Sequence, residues 1–386
     1  MLLIFLVATI ALLVSPAEAQ RFERITPDKS GVTFANHIVE SDSNNILRDF
    51  YAYNGGGVGV GDINGDGLMD LFFTSTQNAN RCYVNRGNWK FEDVTERAGL
   101  SKPDFQLSAG VLMADLTGDG HVDIYVCRRP HTNLFYVNRG DGTFDERGSE
   151  AGMGGDRSST CASAIDYDRD GDVDLFLTLN GSGRKQGYMN PGDNDMLFRN
   201  DGNGRWTEVA KQAGIKDKGY GLSASIGDLN NDGWPDIYVA NDFEERDNLW
   251  MNNGDGTFTD RIMSSFQNMS SNSMGSDIAD VNGDGLLDIM SVDMLPDEHY
   301  RLLTQIGGMS IYGPFFDSAQ RVNNTLQLNR GAQRFSNTCY LSGIAATDWS
   351  WTVLAADFNN DSHNDIFITN GVKRDIGDQD FAYNYF

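Results

Sequence analysis

Polar and apolar positions fall into blocks that recur along most of the chain. A short run of small and apolar residues comes first, an acidic stretch of nine follows, and then comes a run rich in β-branched and aromatic side chains. The first block reads GGGVGVG, LSAGVLMA, CASAI, LSASIG, SMGSDIA and WTVLAA, and the third reads LFFTS, IYVCR, LFLTL, IYVAN, IMSVD and IFITN. Small residues suit a strand where several backbones converge, and the bulky run predicts a buried neighbouring strand. In five repeats a third strand ends in an Asn-x-Gly turn with an aromatic restart, as in LFYVNRGDGTF, which is a hairpin signal. A last segment such as FEDVTERAGL (Phe91 to Leu100) reads as an outer strand. Each unit is therefore expected to be four antiparallel strands that bury both faces only against neighbouring units.

The acidic stretches set the period. They begin at Asp62, Asp115, Asp166, Asp228, Asp280 and Asp357, at intervals of 53, 51, 62, 52 and 77 residues. A repeat near fifty residues is the length of one propeller blade. The expected fold is all-β, a β-propeller over residues 51–386 with five full repeats and a partial sixth. An insertion of about 295–324 lies between the second and third strands of the fifth repeat, and its DEHYRLLTQI has helical spacing. Residues 1–19 read as a secretory signal, with an apolar run from Leu2 to Val14 and Ala17-Glu18-Ala19 before the cut. Residues 20–50 form an N-terminal segment in which FERITPDKSGV (Phe22 to Val32) echoes FEDVTERAGL. That segment is expected to latch the last blade by supplying its outer strand, in a ring left incomplete by the partial sixth repeat. A compact six-bladed ring is the alternative.

Charge narrows the partners. Asp and Glu number 55 against 30 Lys and Arg, a net −25, which disfavours nucleic acid. Four cysteines without tight spacing leave any pairing undetermined, and no Cys/His cluster supports zinc. The carboxylates instead concentrate in the acidic stretches, where side chains at loop positions 1, 3, 5 and 9 converge. These are Asp62, Asn64, Asp66 and Asp70; Asp115, Thr117, Asp119 and Asp123; and Asp166, Asp168, Asp170 and Asp174. The fourth to sixth loops present Asp228, Asn230, Asp232 and Asp236; Asp280, Asn282, Asp284 and Asp288; and Asp357, Asn359, Asp361 and Asp365. Hard oxygens in that number suit Ca²⁺ better than Mg²⁺ or transition metals. Nineteen carboxylates packed into six turns would repel one another without a cation. Up to six Ca²⁺ are expected, adding +12 to bring −25 to −13. An EF-hand is excluded, because position 12 holds Phe73, Val126, Leu177, Val239, Ser291 or Ile368 and not Glu. Thr117 and the Ser362 that replaces glycine mark the second and sixth loops as the weakest. The GDGTF segments at Gly140 and Gly254 read as plain hairpin turns.

The D-x-N-x-D-G-x-x-D loops, the apolar strand after them and N-x-G-D-G-T-F resemble FG-GAP/VCBS repeats, as in the integrin α-subunit propeller. The match covers roughly Asn54 to Asn370. The stretch DWSWTVLAADFNNDSHNDIFITNGVKRD, with DMLPDEHYRLL and NTLQLNRG before it, is similar to bacterial proteins of the cartilage acidic protein type, whose propeller usually precedes a C-terminal ASPIC/UnbV domain. That domain is absent from this sequence. The resemblance implies a seven-bladed Ca²⁺ propeller outside the cytoplasm that binds or adheres to a ligand, and it implies no settled enzymatic activity.

Two function classes follow. One is a binding, adhesion or scaffolding module for a protein or glycan, with structural calcium. The other is an extracellular hydrolase or lyase acting on polysaccharide or phosphoester, with a site in the axial channel or the insertion. The five histidines are scattered, two inside acidic loops, and no G-x-S-x-G, H-E-x-x-H or P-loop occurs, so the binding class is favoured.

Overall fold

The computed structural model describes residues 22–42, 45, 50–101, 107–129, 131–153, 156–181, 184–185, 188–189, 194–202, 204–243, 245–305 and 319–371. The expected signal, the stretch 306–318 of the insertion and the tail 372–386 lie outside them. Among the described residues no helix is long and apolar enough to cross a membrane.

Five sheets of four antiparallel strands follow one another, each meandering in sequence order. The strands of blade one are Val58–Gly61, Asp70–Phe73, Arg81–Asn85 and Phe91–Asp93. Those of blade two are Ser108–Ala114, Asp123–Arg128, Leu134–Asn138 and Phe144–Glu146. Blade three comprises Ser159–Ile165, Asp174–Leu179, Met196–Asn200 and Trp206–Glu208. Blade four comprises Gly221–Gly227, Asp236–Asn241, Asn248–Asn252 and Phe258–Asp260. Ser276–Ala279, Asp288–Ser291, Thr325–Asn329 and Phe335–Asn337 make blade five. Blade six contributes Ser350–Ala356 and Asp365–Asn370 as a two-stranded sheet. The first strand of each blade packs beside the first strand of the next, which is the arrangement of a β-propeller.

The core is divided between blades. Five apolar clusters lie between successive pairs, each formed by one blade's forward face and the next blade's rear face. Between blades one and two, for example, Phe72 meets Ile124, with Val111 and Met113 packed on the seam. Where two inner strands touch at Gly110 there is no room for a side chain. A methyl group at Gly110 would overlap the backbone carbonyl of Thr160 on the neighbouring inner strand. Gly110→Ala is therefore expected to cost about 2 kcal/mol by overpacking, measured as a lower denaturation midpoint at unchanged m-value.

The outer strands differ from the sequence expectation. FEDVTERAGL forms a strand only over Phe91–Asp93. The remainder curls into a turn, with Ala98 N–H donating to Val94 O (2.8 Å) and Leu100 N–H to Thr95 O (3.0 Å). The curl buries Val94, Ala98 and Leu100, which a straight strand would have split between two faces. In the N-terminal segment no strand is assigned within Phe22 to Val32; a short helix, Pro27–Ser30, ends on Gly31 in the left-handed region. Within the insertion the helix is His299–Gln305, and Gln320–Arg321 then pairs in parallel with Met269–Ser270. All four cysteines are free, and burial raises each thiol pKa.

Candidate functional site

The six acidic loops join the first and second strands of each blade, so they lie together on one face of the disc. Their backbones are alike because positions 4 and 6 both take positive φ. In the first loop these are Gly65 (73°) and Gly67 (83°); in the sixth they are Asn360 (58°) and Ser362 (69°). The sixth loop thus holds the same curl with a side chain where glycine is easier, a strained choice.

The predicted ligands occupy matching places. In the first loop Asp62 Oδ2 accepts from Gly67 N–H (2.7 Å) and Oδ1 from Gly65 N–H (2.8 Å). Asn64 Oδ1 accepts from Asp66 N–H, and Asp66 Oδ1 from Leu68 N–H, both at 2.9 Å. The position-9 carboxylate is buried: Asp70 accepts from Ile63 N–H (3.0 Å) and from Asn85 N–H on the third strand (2.7 Å). The pattern recurs at Asp115, Asp119 and Asp123. In the fourth loop it appears at Asp228, Asn230, Asp232 and Asp236. The fifth loop repeats it at Asp280, Asn282, Asp284 and Asp288, and the sixth at Asp357, Asn359 and Asp361. Thr117 donates its N–H to Asp123 (3.0 Å). Asp365 opens the second strand of blade six.

The third loop is different. Ligand oxygens of Asp166, Asp168 and Asp174 lie within 4.8 Å of one another, and Asp166 Oδ1 and Asp168 Oδ1 are buried without a hydrogen-bond partner. Asp170 Oδ1 accepts from Asp172 N–H (2.9 Å), as position 5 does in the other loops. Three converging carboxylates, two of them with an orphaned oxygen, form a ready cradle for a hard divalent cation. Beside it the Arg169 guanidinium stacks over Trp234 of the fourth loop at 5.3 Å, tying neighbouring loops together. The GDGTF segments are hairpin turns, with Thr143 and Thr257 N–H donating to Asp141 and Asp255.

Electrostatics separates position 1 from position 9. Amide donors hold Asp280 below its ordinary value, that of Gly285 most strongly. At Asp62 burial pulls upward but the amides of Gly67, Gly65 and Asp66 together outweigh it. Burial raises Asp123 to about 6 and Asp174 and Asp236 to about 7. Groups with raised folded pKa values bind protons more tightly in the folded state than in the unfolded one. The metal-free chain should therefore gain stability as pH falls from about 8 to about 6. Asp62 and Asp280 lose their contribution only below their ordinary value near 3.8. Thermal melts in chelator at pH 8, 7 and 6 check the sign.

Two sets of buried polar groups escaped the sequence reading. In blades two to five the asparagine ending the third strand bridges two blades: Asn138 Nδ2 donates to Val122 O of its own loop (3.0 Å) and to Ile63 O of the preceding one (2.9 Å). Asn200, Asn252 and Asn329 do the same. Five residues upstream, Asn80, Asn133, Asp195, Asp247 and Asn324 each accept the backbone N–H that follows the second strand or lies at its end. Asp195 also donates its N–H to Asp217 Oδ1 (3.0 Å), and burial raises both carboxyls. The signal was a polar residue at a fixed distance before every Asn-x-Gly.

On the opposite face the starts of all six inner strands surround a cavity of about 610 Å³ on the axis. It is lined by hydroxyls (Ser108, Ser158, Thr160, Ser223), backbone of Asn54 to Gly57, Arg129, and Trp351. Trp351 stacks on Trp349.

Comparison with known proteins agrees with this repeat structure. A family model described as FG-GAP-like repeat matches residues 62–126, 115–177, 179–239 and 228–291. Cartilage acidic protein 1 of Mus musculus is 28% identical over 213 residues, covering 50% of this chain and 32% of that protein. The Homo sapiens protein gives 28%, covering 50% and 31%, and the Xenopus tropicalis protein 25%, covering 49% and 29%. The match thus spans about a third of these relatives' length. Among solved structures, an Agrocybe aegerita lectin described as recognising non-reducing terminal N-acetylglucosamine shows 18% identity, a TM-score of 0.45, and coverage of 80% and 73%. The V. cholerae biofilm matrix protein Bap1 shows 13% identity, a TM-score of 0.34, and coverage of 72% and 38%. Tandem acidic loops, four-stranded blades and the matched repeats lead to one assignment: the chain belongs to the FG-GAP-like repeat family.

Proposed function

We propose that this chain is an exported binding module, a propeller stiffened by calcium in its acidic loops that presents its axial mouth to a protein or glycan. The observation that carries the reading is a division of labour between the two faces. On the loop face, carboxylates and amides converge on points suited to cations, best in the third loop. On the other face, the cavity of about 610 Å³ offers hydroxyls, amides, a guanidinium and an indole. Those are groups that hydrogen-bond and stack a ligand. Calcium would be held by positions 1, 3, 5 and 9 of each loop, with the third the tightest. The ion would reverse the pH slope expected without it, since binding requires ionised carboxylates.

Export is supported by the apolar run and small-residue cut site within residues 1–19. The test is a glycan array and a panel of extracellular proteins, probed with the calcium-loaded chain and with Ser223→Trp, which fills the mouth. Binding lost in Ser223→Trp but kept in Asp141→Ala supports the mouth as the site. Binding that survives the filled mouth contradicts it.

A further inference from the structure

The polar residue just before the third strand meets different partners in successive blades. In blade two, Asn133 Oδ1 accepts from the Ser159 hydroxyl of the next inner strand (2.5 Å), and its Nδ2 donates to the Tyr125 hydroxyl (2.9 Å). In blade four, Asp247 Oδ2 accepts from the hydroxyls of Tyr238 (2.6 Å) and Ser273 (3.0 Å). Blade three lacks both hydroxyls. Phe176 stands in its second strand where Tyr125 and Tyr238 stand in theirs, and Gly221 opens the next inner strand where Ser159 does after blade two. The residue left facing them is a carboxylate, Asp195. Its Oδ1 accepts from Leu179 N–H (2.7 Å), and its Oδ2 is buried without a partner.

Three more oxygens at this seam are in the same condition. Asp217 Oδ1 takes the Asp195 N–H (3.0 Å), while Asp217 Oδ2 is orphaned. Asn180 Oδ1 and Asn241 Oδ1 are orphaned as well. Both amides gather at Gly221: Asn180 Nδ2 donates to its carbonyl (3.5 Å), and Asn241 Oδ1 stands 3.6 Å from where a Cβ on Gly221 would be. The Asn241 amide cannot simply turn over, because its Nδ2 already donates to Arg246 O and Asn248 Oδ1. All four residues are at most 7% exposed. Buried acceptors left unpaired are costly, and a concentration of them calls for a missing partner. A proton shared by the two carboxyls would answer Asp195 and Asp217 and leave both amide oxygens orphaned. A hard cation answers all four, and the carboxylates balance its charge.

We infer that the seam between blades three and four holds a further calcium ion, ligated by Asp195, Asp217, Asn180 and Asn241. It lies at the far end of the second strand from the acidic loops and shares no ligand with them. Carboxylate and amide oxygens, with no imidazole or thiolate among the four, suit calcium and not a transition metal. A cavity of about 200 Å³ leads to Asp217 from between the exposed Lys216, Lys218, Glu245 and Arg246, which gives the ion a way in. Bound there, it ties the linker that enters blade four to the body of blade three.

Equilibrium dialysis of the full-length chain against radiolabelled calcium counts the ions, with Asp195→Asn and Asp217→Asn compared with wild type and with Asp141→Ala. Each of the two seam variants should bind one ion fewer per chain, Asp141→Ala should match wild type, and the loss in Asp195→Asn should add to that in Asp168→Asn. A folded Asp195→Asn chain that binds as many ions as wild type would overturn the inference, since asparagine imitates the protonated acid of a proton-sharing pair. Wild-type crystals grown in calcium supply a test that needs no variant. Anomalous difference maps should show a peak between the carboxylates of Asp195 and Asp217. Peaks in the acidic loops with none at this seam would overturn the inference, whereas a peak here with none in the loops would uphold it and count against the loops alone.

Discussion

Removing calcium with EGTA should lower the melting temperature of this protein, and restoring it should reverse the loss. A site that binds only the folded chain adds about 2.7 kcal/mol at a free calcium concentration a hundredfold above its Kd. For a chain of this length that is on the order of 4 °C per site. The third loop should dominate, because Asp166 and Asp168 keep buried oxygens without partners there. Elsewhere the position-1 carboxylate is already engaged by its own loop amides, as Asp62 is by Gly65 and Gly67. Asp168→Asn should remove a disproportionate share of the calcium-dependent stabilisation, Asp66→Ala and Asp284→Ala smaller shares, and Asp141→Ala none. Equal melts with and without calcium would contradict the reading of the loops.

Asn200→Ala should destabilise the protein by about 3 kcal/mol, more than most surface or loop changes. Its side chain donates to Leu116 O (3.0 Å) in blade two and Val173 O (3.2 Å) in blade three, and accepts from Gly202 N–H (3.1 Å). Leu116 O would be left without this partner in the buried seam between two blades. Asn85→Ala should cost clearly less, about 1–2 kcal/mol. Among the described residues Asn85 Nδ2 donates to its own loop alone, to Met69 O (3.1 Å). Urea midpoints of the two variants compare them directly, and equal losses would show that the interblade bond carries no particular weight.

Much of this was legible from the residue pattern. The alternation of small, acidic and β-branched blocks placed the first three strands of every complete blade, since strand period and turn chemistry are local. The recurrent loop positions were legible for the same reason, being fixed by spacing within nine residues. What escaped depends on distant neighbours. That Asn138 reaches Ile63, 75 residues away, follows from how blades stack. The curl after Phe91–Asp93 was missed because its apolar residues pack into the cluster shared with the next blade, which no local pattern reveals. The third loop looked like the others with one extra carboxylate. Only its geometry shows two oxygens turned inward without partners.

The most direct test is isothermal titration of Ca²⁺ into the chelator-stripped, full-length chain, beside Asp168→Asn. Several ions bound per chain, with the tightest class lost in Asp168→Asn and the weaker classes retained, is the predicted result. No heat of binding, or a titration unaltered by Asp168→Asn, would contradict the assignment of the acidic loops as calcium sites.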